Sequence, residues 1–347
     1  MCNLLEVKMI IPESNNYIAS FIDKAHQDRK EKSRPHMGAS MLGHSCDRWL
    51  WLSFRWAVQE EFPGRLLRLF RRGHMEEVTI VSDLRAMGID IGNTSEHQSR
   101  VDFGCHVSGS MDGIIFSGIP ESPNKKHILE AKTHALKSFE SLVKDGVEKS
   151  KPMHYIQMMV YMLGSGIDRA LYYAVCKNDD RIYTERVKFI PEIAEKYIAR
   201  GHRIVKSERL PEPLSADPSW YECKFCAAHE FCHKTKTTKH ANCRTCAHST
   251  AMDDSTWRCE LHDSDNIPVE FQHIGCDSHV LHPDLVPYQR KDSENGNSAV
   301  YVINGVDVIN GENGYKSSEI LANPEACING DKVIAEFRNV FDARITG

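Results

Sequence analysis

The stretch GSMDGIIFSGIPESPNKKHILEAKTH, residues 109–134, decides the expected fold of this chain. Its two apolar runs are joined by a connection that contains Gly, Pro and Asn, which predicts two strands and the turn between them. Side chains alternate between the faces of a strand, so Leu129 and Ala131 can enter a core while Glu130 and Lys132 project together into a cleft. The stretch therefore predicts a sheet with paired charges on one face.

Helical patterns stand on both sides of this sheet. Over residues 65–88, apolar side chains recur with a helical period, and Gly88 occupies the position expected of a C-cap glycine. Further elements are predicted as helices at 15–33, from near Ser40, at 154–166 and at 191–210, and as a strand pair at 169–178 and 181–189. The order of elements predicts an α/β protein.

The composition is that of a globular protein, with 347 residues, 41% of them hydrophobic and 26% charged, and a formal net charge of -5. Such a length predicts two or three domains with a substantial core. The negative charge means that any nucleic-acid binding must depend on local basic patches. No run approaches the roughly 20 apolar residues of a membrane span and the first residues lack a secretory signal, so a cytoplasmic protein without membrane contact is predicted.

Twelve cysteines are present, and seven of them lie between residues 223 and 276. In a reducing compartment, such crowding indicates metal binding and not a disulfide framework. The first set combines one upstream cysteine with three that are close together: Cys46, Cys223, Cys226 and Cys232. Thiolates alone do not distinguish zinc from an iron–sulfur cluster, and a zinc site that uses His229 or His233 is the alternative.

A second set of cysteines follows in a polar segment with little helical or strand periodicity: Cys243, Cys246, Cys259 and Cys276. It begins with a Cys-x-x-Cys knuckle, for which zinc is the natural occupant. Three histidines are close enough in sequence to replace one of the two later cysteines: His262, His273 and His279. Unligated thiols are the other alternative. Metal would have to replace a hydrophobic core in this segment.

The charged side chains of the sheet suit a metal-dependent hydrolytic site. Asp112 and Glu130 can bind a divalent cation, and Lys132 would lie beside the metal-bound water, where its charge favours hydroxide and stabilises the pentavalent phosphate. A surface strand with solvated charges is the alternative for Glu130 and Lys132.

Two predicted helices carry polar pairs at helical spacing. His74 and Glu77 are three residues apart, and Gln157 and Tyr161 are four apart, so each pair shares one helix face. A lone histidine on such a helix would more often be packed in a core. Neither helix decides the function alone.

Taken in order, four elements resemble the PD-(D/E)XK nuclease superfamily, and most closely its RecB-like branch: Gly73-His74, Asp112-Gly113, Glu130-Ala131-Lys132, and Gln157 with Tyr161. The resemblance covers roughly residues 37–235. It implies a restriction-endonuclease-like core, in which helices flank a mixed central sheet. It implies His74, Asp112 and Glu130 as ligands of Mg²⁺ or Mn²⁺, Lys132 as the catalytic lysine, and Gln157 and Tyr161 as residues that orient the lysine or hold the DNA backbone. Ser110-Met111 departs from the Pro before Asp in the family name.

One cysteine before the nuclease motifs and three after them resemble the iron–sulfur nucleases of the AddB type and the CRISPR-associated RecB-like exonucleases. In those proteins a 4Fe-4S cluster clamps the two ends of the nuclease fold. The resemblance implies a structural cluster on the first cysteine set and favours an exonuclease. It also associates the chain with DNA recombination, DNA repair or phage replication in a bacterial or phage-infected cell.

A basic stripe precedes His74 on the same predicted helix: Arg65, Arg68, Arg71 and Arg72. Their spacing of three and four residues brings them near one helix face, which could track a phosphate backbone. A solvated helix face is the alternative. The candidate DNA contacts are Arg68, Arg71 and Arg72.

The sequence predicts four segments: an N-terminal helical segment at 1–36, a RecB-like nuclease core with the iron–sulfur cluster at 37–240, a zinc-binding segment at 241–290, and a small β-rich tail at 291–347. Asn-Gly pairs in the tail predict a hairpin. The predicted function is a divalent-metal-dependent deoxyribonuclease, an exonuclease by resemblance, that acts on single-stranded DNA or duplex ends. The alternative is a non-catalytic DNA-binding or assembly subunit with a nuclease-like scaffold, whose C-terminal segments bind a protein partner.

Overall fold

The computed structural model describes residues 17–29, 33–291, 296–328, 337–338 and 340–346, with the side chain of Glu96 left out. The ends of the predicted helix 15–33 that fall at 15–16 and 30–32 lie outside the described residues. The helices are α1 Tyr17–Gln27, α2 Asp47–Phe54, α3 Gly64–Ala86, α4 Leu136–Ser150, α5 Pro152–Ser165, α6 Pro191–Val205, α7 Tyr221–Lys224, α8 Val269–Gln272, α9 Ser317–Ala322 and α10 Pro324–Ile328.

The strands are β1 Met37–Gly38, β2 Asp90–Gly92, β3 Arg100–Asp102, β4 Val107–Ser110, β5 Gly113–Ser117, β6 His127–His134, β7 Arg169–Cys176, β8 Ile182–Lys188, β9 Ser249–Ala251, β10 Trp257–Cys259, β11 Gln289–Lys291, β12 Ser298–Ile303 and β13 Val306–Gly311. Short 3₁₀ turns occur at Ala39–Met41, Ser95–His97, Cys243–Thr245 and Pro283–Leu285, and a π turn occurs at Phe231–Thr235. The mixture of helices and strands confirms the predicted α/β class.

The central sheet has the strand order β2-β5-β6-β7-β8. It is mixed, because β6 and β7 run parallel while the other neighbouring pairs are antiparallel. A parallel pair needs a crossover connection, and α4 and α5 supply it. In the parallel register Glu130 stands opposite Tyr172, and Lys132 stands opposite Ala174.

Helices cover both faces of the central sheet. On one face, Ile80 and Leu84 of α3 pack with Leu129 and Leu171, and Ala131 packs against this cluster. On the other face, Ile128 packs with residues of α4 and α5. The predicted alternation is therefore confirmed, since Leu129 and Ala131 enter a core. The face of Glu130 is also covered, so this carboxylate is fully buried.

The predicted meander divides between two sheets. Strands β3 and β4 pair in a small sheet of order β1-β4-β3, while β5 and β6 belong to the central sheet. Asp112 lies between them, after β4 ends at Ser110 and before β5 begins at Gly113. The helix predicted from near Ser40 is a 3₁₀ turn followed by α2. Cys46 caps α2 and does not lie inside it.

The cysteine-rich segment shares the core of the central sheet. Trp257, Ile267 and Leu285 belong to the same hydrophobic cluster as Ile128. The tail has its own cluster around Tyr301 and a three-stranded sheet of order β11-β12-β13. The four segment boundaries stay predictions.

The predicted Asn-Gly hairpin is confirmed in the tail. Strands β12 and β13 are antiparallel and are joined by Asn304 and Gly305, which have φ values of 49° and 81°. Positive φ at both central residues is the requirement of a type I′ hairpin turn. Among the described residues, no helix is long and apolar enough to cross a bilayer.

Candidate functional site

Glu130 and Lys132 form the centre of the site on β6. The Lys132 ammonium is paired with Glu130 Oε1, and Lys132 Nζ also donates to the carbonyl of Ala131 at 3.2 Å. The Glu130 side chain is completely buried, while the Lys132 side chain is 25% exposed. The lysine therefore reaches solvent, while the carboxylate that it pairs with does not.

Asp112 completes this centre from the turn between β4 and β5. Its Oδ2 accepts a hydrogen bond from the Ala131 amide at 2.9 Å and lies 3.6 Å from Lys132 Nζ. The carboxylate is thus fixed by the backbone of the same strand that carries Glu130 and Lys132. Lys132 carries its charge between the two carboxylates, a position that suits a cation.

Gln157 and Tyr161 of α5 face this centre, as their spacing predicts. Gln157 Nε2 donates to Glu130 Oε2 at 3.2 Å and to the Tyr161 hydroxyl at 3.3 Å. A side chain at Gly109 would meet the Tyr161 ring, since a Cβ there would lie 2.8 Å from it. The glycine at the start of the opening stretch therefore makes room for Tyr161.

Helix α3 contributes Glu77, a carboxylate that the predicted site did not include. Gln98 Nε2 donates to Glu77 Oε1 at 3.1 Å, and the charges of Asp112 and Lys132 both act on Glu77. His74 is exposed one turn earlier on α3. Among the described residues, no hydrogen bond or ion pair joins His74 to Asp112 or Glu130. The shared helix face of His74 and Glu77 was the signal that could have identified Glu77.

The electrostatics of the centre follow from burial and from the crowding of like charges. Burial raises the pKa of Glu130 to about 7, an effect that Lys132 opposes and Asp112 strengthens. Burial lowers the pKa of Lys132, but Glu130 and Asp112 outweigh it and hold this pKa well above its ordinary value. Burial and the charge of Asp112 raise the pKa of Glu77. The lysine is therefore a fixed cation at neutral pH.

The carboxylates have the donor chemistry that Mg²⁺ and Mn²⁺ prefer, because both cations favour oxygen ligands. Asp112 and Glu130 flank one cationic position, and Glu77 lies near it. Across the described ranges, no three His, Cys, Asp or Glu side chains are grouped as closely as a bound metal ion requires. The fit to a divalent cation rests on the oxygen donors and negative charges of Asp112, Glu130 and Glu77, and not on a preformed coordination geometry.

The candidate DNA contacts on α3 differ in their surroundings. Arg68 forms an ion pair with Asp23 of α1. Arg72 Nη2 donates to the carbonyl of Lys177 at 3.4 Å, while Arg71 is exposed. Arg71 and Arg72 are therefore the more accessible of the three candidates.

The first cysteine set converges on one cavity. Its four thiols line this cavity with His229 and His233, and they belong to Cys46, Cys223, Cys226 and Cys232. Cys46 also caps α2, where its Sγ accepts from the Trp49 amide at 3.4 Å. Burial, followed by the neighbouring thiols, raises the pKa of Cys226 to about 11. A soft donor set of this kind suits zinc or iron–sulfur ligation.

The second cysteine set also comes together. Burial raises the pKa of Cys243 to about 12, and the thiols of the other three members add to this effect. Of the three alternative histidines, His262 lies against the set, with its Nε2 at 3.6 Å from Cys276 Sγ. His273 instead stacks on Trp56, and both ring nitrogens of His279 are within hydrogen-bonding distance of other groups.

Arg244, inside the Cys-x-x-Cys knuckle, joins the second set to α2. Its guanidinium lies 3.7 Å from the centre of the Trp56 ring and donates to the carbonyls of Phe54 and Pro35 and to Gln272 Oε1, each at 2.9 Å. Burial, with a smaller contribution from Arg55, lowers the pKa of Arg244 to about 9. This buried arginine was not identified from the sequence.

No protein-family model matches the chain. No curated protein matches it either. Among solved structures, the chain is similar to SSO0001, with 16% identity, a TM-score of 0.41, and coverage of 62% of this chain and 96% of that one. It is also similar to an alkaline exonuclease from Laribacter hongkongensis, with 13% identity, a TM-score of 0.34, and coverage of 52% and 90%.

A third similar structure is a phage-related exonuclease from Haemophilus somnus, with 19% identity, a TM-score of 0.28, and coverage of 38% of this chain and 65% of that one. All three likenesses are too distant to assign a fold or a function. The function must therefore be argued from the site.

Proposed function

We propose that the protein is a divalent-metal-dependent deoxyribonuclease with a restriction-endonuclease-like core. The observation that supports this most is the convergence of Asp112, Glu130 and Lys132, with the lysine charge between two carboxylates. A buried carboxylate paired with a lysine serves no need of packing, because apolar side chains would fill the same space without desolvating charges. We therefore assign this group to the reaction.

Each residue has a role in phosphodiester hydrolysis. Asp112 and Glu130, with His74 and Glu77 on the adjacent helix, would hold a divalent cation, which would supply Lewis-acid activation of water and of the phosphate. Lys132 places a permanent positive charge where the pentavalent phosphate becomes more negative. Gln157 fixes Glu130 Oε2 through its amide, and its second bond orients Tyr161 towards the DNA backbone.

We further propose DNA as the substrate and exonuclease action as the mode, on the resemblance of the ordered motifs. Arg71 and Arg72 would contact phosphates. The first cysteine set would hold a 4Fe-4S cluster, and the second set would hold Zn²⁺, with His262 as the alternative to one cysteine. The C-terminal tail would bind a protein partner.

Labelled DNA provides the test. Linear and circular forms, each single-stranded and double-stranded, are incubated with Mg²⁺, Mn²⁺ or a chelator. Metal-dependent release of nucleotides from linear DNA, with circular DNA left intact, is expected. Asp112→Asn should abolish this release, whereas Asp145→Asn, at an exposed carboxylate on α4, should not. DNA binding without cleavage by the wild-type protein would favour the scaffold alternative.

A further inference from the structure

A buried polar cluster lies beside the proposed site. We call it the histidine–tyrosine cluster, and it consists of His134 on β6, Tyr172 on β7 and His154 on α5. The Tyr172 hydroxyl lies 2.9 Å from His134 Nε2 and 2.9 Å from His154 Nδ1. Tyr172 is completely buried and His134 is 8% exposed. These groups are therefore hydrogen-bonded to one another and largely separated from water.

The protonation of the cluster is determined by its surroundings. Burial, with smaller contributions from nearby lysines, lowers the pKa of His134 to about 4 and that of His154 to about 3. Both imidazoles are therefore neutral near pH 7, and each has one donor and one acceptor nitrogen. The phenol has a single hydrogen, so at most one of the two ring nitrogens can accept from it. The other ring must donate to the phenol oxygen.

This count leaves Tyr172 with one unused acceptor position. A phenol oxygen has one hydrogen and two lone pairs, and in the arrangement in which one ring accepts and the other donates, the two histidines use the hydrogen and one lone pair. In the parallel register Tyr172 stands directly opposite Glu130, and Lys132 lies one pair further along the same face. Lys132 is the charged residue that acts most strongly on Tyr172 and on His154. Tyr172 and Lys132 therefore lie on the same face of neighbouring strands, close enough for the lysine charge to act on the phenol.

Lys132 needs such an acceptor once a cation is bound. Its charged partners are Glu130 and Asp112, the same carboxylates that would turn their oxygens towards a divalent metal. A metal and an ammonium group compete for these oxygens. The Ala131 carbonyl would still accept from Lys132, but it uses one of three ammonium donors, so a second acceptor is needed to hold this flexible side chain in position to meet the phosphate.

We infer that Tyr172 is a positioning residue for Lys132, and that its hydroxyl, oriented by His134 and His154, accepts a hydrogen bond from the lysine when the carboxylates turn to the metal. This inference rests on the proposed function, because it assigns a role within that site. Tyr172 acts through Lys132 and does not itself contact the substrate.

The test compares Tyr172→Phe with Tyr173→Phe in the full-length protein with Mg²⁺. Tyr173 is the next residue on β7 and is also buried, but it packs in the cluster on the α3 face. Tyr172→Phe should lower kcat by about tenfold or more, the loss expected for one hydrogen bond to a charged group, with little change in KM. Tyr173→Phe should match the wild type. Equal kinetics of Tyr172→Phe and wild type would overturn the inference.

A double-mutant cycle separates positioning from a general structural role. Once Lys132→Met has removed the lysine, adding Tyr172→Phe should cost nothing further, because the interaction is already lost. A further loss as large as in the wild-type background would contradict the inference. Should Tyr172→Phe fail to fold, His154→Asn at the half-buried position on α5 replaces it in the same cycle.

A readout without catalysis distinguishes this inference from the proposed function. In ¹⁵N-lysine-labelled protein, the Lys132 ammonium signal, assigned by its absence in Lys132→Met, should persist when Mg²⁺ is added to the wild type. In Tyr172→Phe the same addition should broaden it by rapid exchange with water. A signal that behaves alike in both proteins would overturn the inference. Failure of the wild type to cleave any DNA would refute the proposed function and leave this measurement interpretable.

Discussion

The sheet site and the two cysteine sets are built in different ways. In the sheet site, direct hydrogen bonds fix each charged side chain: Ala131 donates to Asp112, and Gln157 donates to Glu130. The strands and α5 that carry these residues pack in the main hydrophobic core. The cysteines instead stand in or beside short elements, such as the cap of α2, the four-residue helix α7 and the three-residue strand β10, and burial raises the pKa of thiols such as Cys226 and Cys243. Direct hydrogen bonds hold the sheet site, whereas we propose that a bound metal stabilises each cysteine set.

This difference separates side chains that serve the reaction from side chains that stabilise the fold. Where the side chains of a site are fixed in the absence of metal, the loss of one side chain should abolish the reaction and leave the fold intact. A cluster of neutral thiols gains most of its stability when a metal binds the thiolates, so the loss of one ligand weakens the fold around it. Variants of the two regions test this contrast.

The largest effect is expected at the sheet site. Glu130→Gln removes a ligand charge, keeps the side-chain volume, and should lower the cleavage rate roughly a thousandfold, because charge stabilisation by the metal is worth several kcal/mol. Glu77→Gln, outside the central trio, should cost only about tenfold to a hundredfold and raise the Mg²⁺ concentration needed. Single-turnover kinetics and thermal unfolding measure both. Equal losses, or unfolding of Glu130→Gln, would remove the contrast between the regions.

The next effect is expected at the first cysteine set. Cys46→Ser removes a thiolate, yet serine can still accept from the Trp49 amide and cap α2. Anaerobically purified variant should therefore lose its iron and brown colour, and its free energy of unfolding should fall by about 3 kcal/mol or more, since a bound metal stabilises only the folded state. Iron analysis and urea unfolding measure this.

Cys105→Ser serves as the control for iron content, because Cys105 lies outside both cysteine sets. It should keep the iron of the wild type. A colourless wild type that contains zinc and no iron would replace the iron–sulfur proposal with zinc at both sets.

The contrast also explains which features the sequence could predict. The pairing of Glu130 with Lys132 follows from strand alternation, and that of Gln157 with Tyr161 follows from helical spacing, because both are local rules. Tyr172 could not be placed opposite Glu130, since two helices separate β6 from β7 and the register between strands is not a local property. The burial of Glu130 was missed because it depends on α5 covering that face.

Two further structural features were not predicted from the sequence. Helix α4 was not predicted because its pattern is interrupted at Gly146, which has a φ of 72°. Arg244 was missed because an arginine in a polar, cysteine-rich segment is normally exposed. Its burial depends on the aromatic rings of Phe54, Trp56 and Trp257, which come from distant parts of the chain. Local patterns therefore predicted the sheet chemistry better than the contacts between segments.

Arg244 offers a test of how separable the cysteine-rich segment is. Arg244→Leu should lower the free energy of unfolding by about 2–3 kcal/mol, because it leaves the buried carbonyl of Phe54 and the buried side-chain oxygen of Gln272 without this donor. Arg258→Leu, which removes surface ion pairs to Asp263 and Asp265, should change it by less than about 0.5 kcal/mol. Urea unfolding measures both. Equal values for the two variants would show that the knuckle is energetically independent of α2.

The smallest effect concerns acid stability of the packed sheet site. His134 has its pKa lowered to about 4 in the folded chain, whereas an unfolded histidine titrates near its ordinary value of 6.5. Between these values the unfolded chain binds more protons, so stability falls as the pH decreases through this window and is unaffected by this group above it. His134 should contribute at most about 2 kcal/mol to the loss of stability between about pH 7 and pH 5.

His134→Gln should therefore flatten the pH dependence of urea unfolding, whereas His97→Gln, at an exposed ring, should leave it unchanged. If His134→Gln left the slope unchanged, the histidine–tyrosine cluster would be open to water and protons, and the sheet site would not be held by packing in the way that separates it from the cysteine sets.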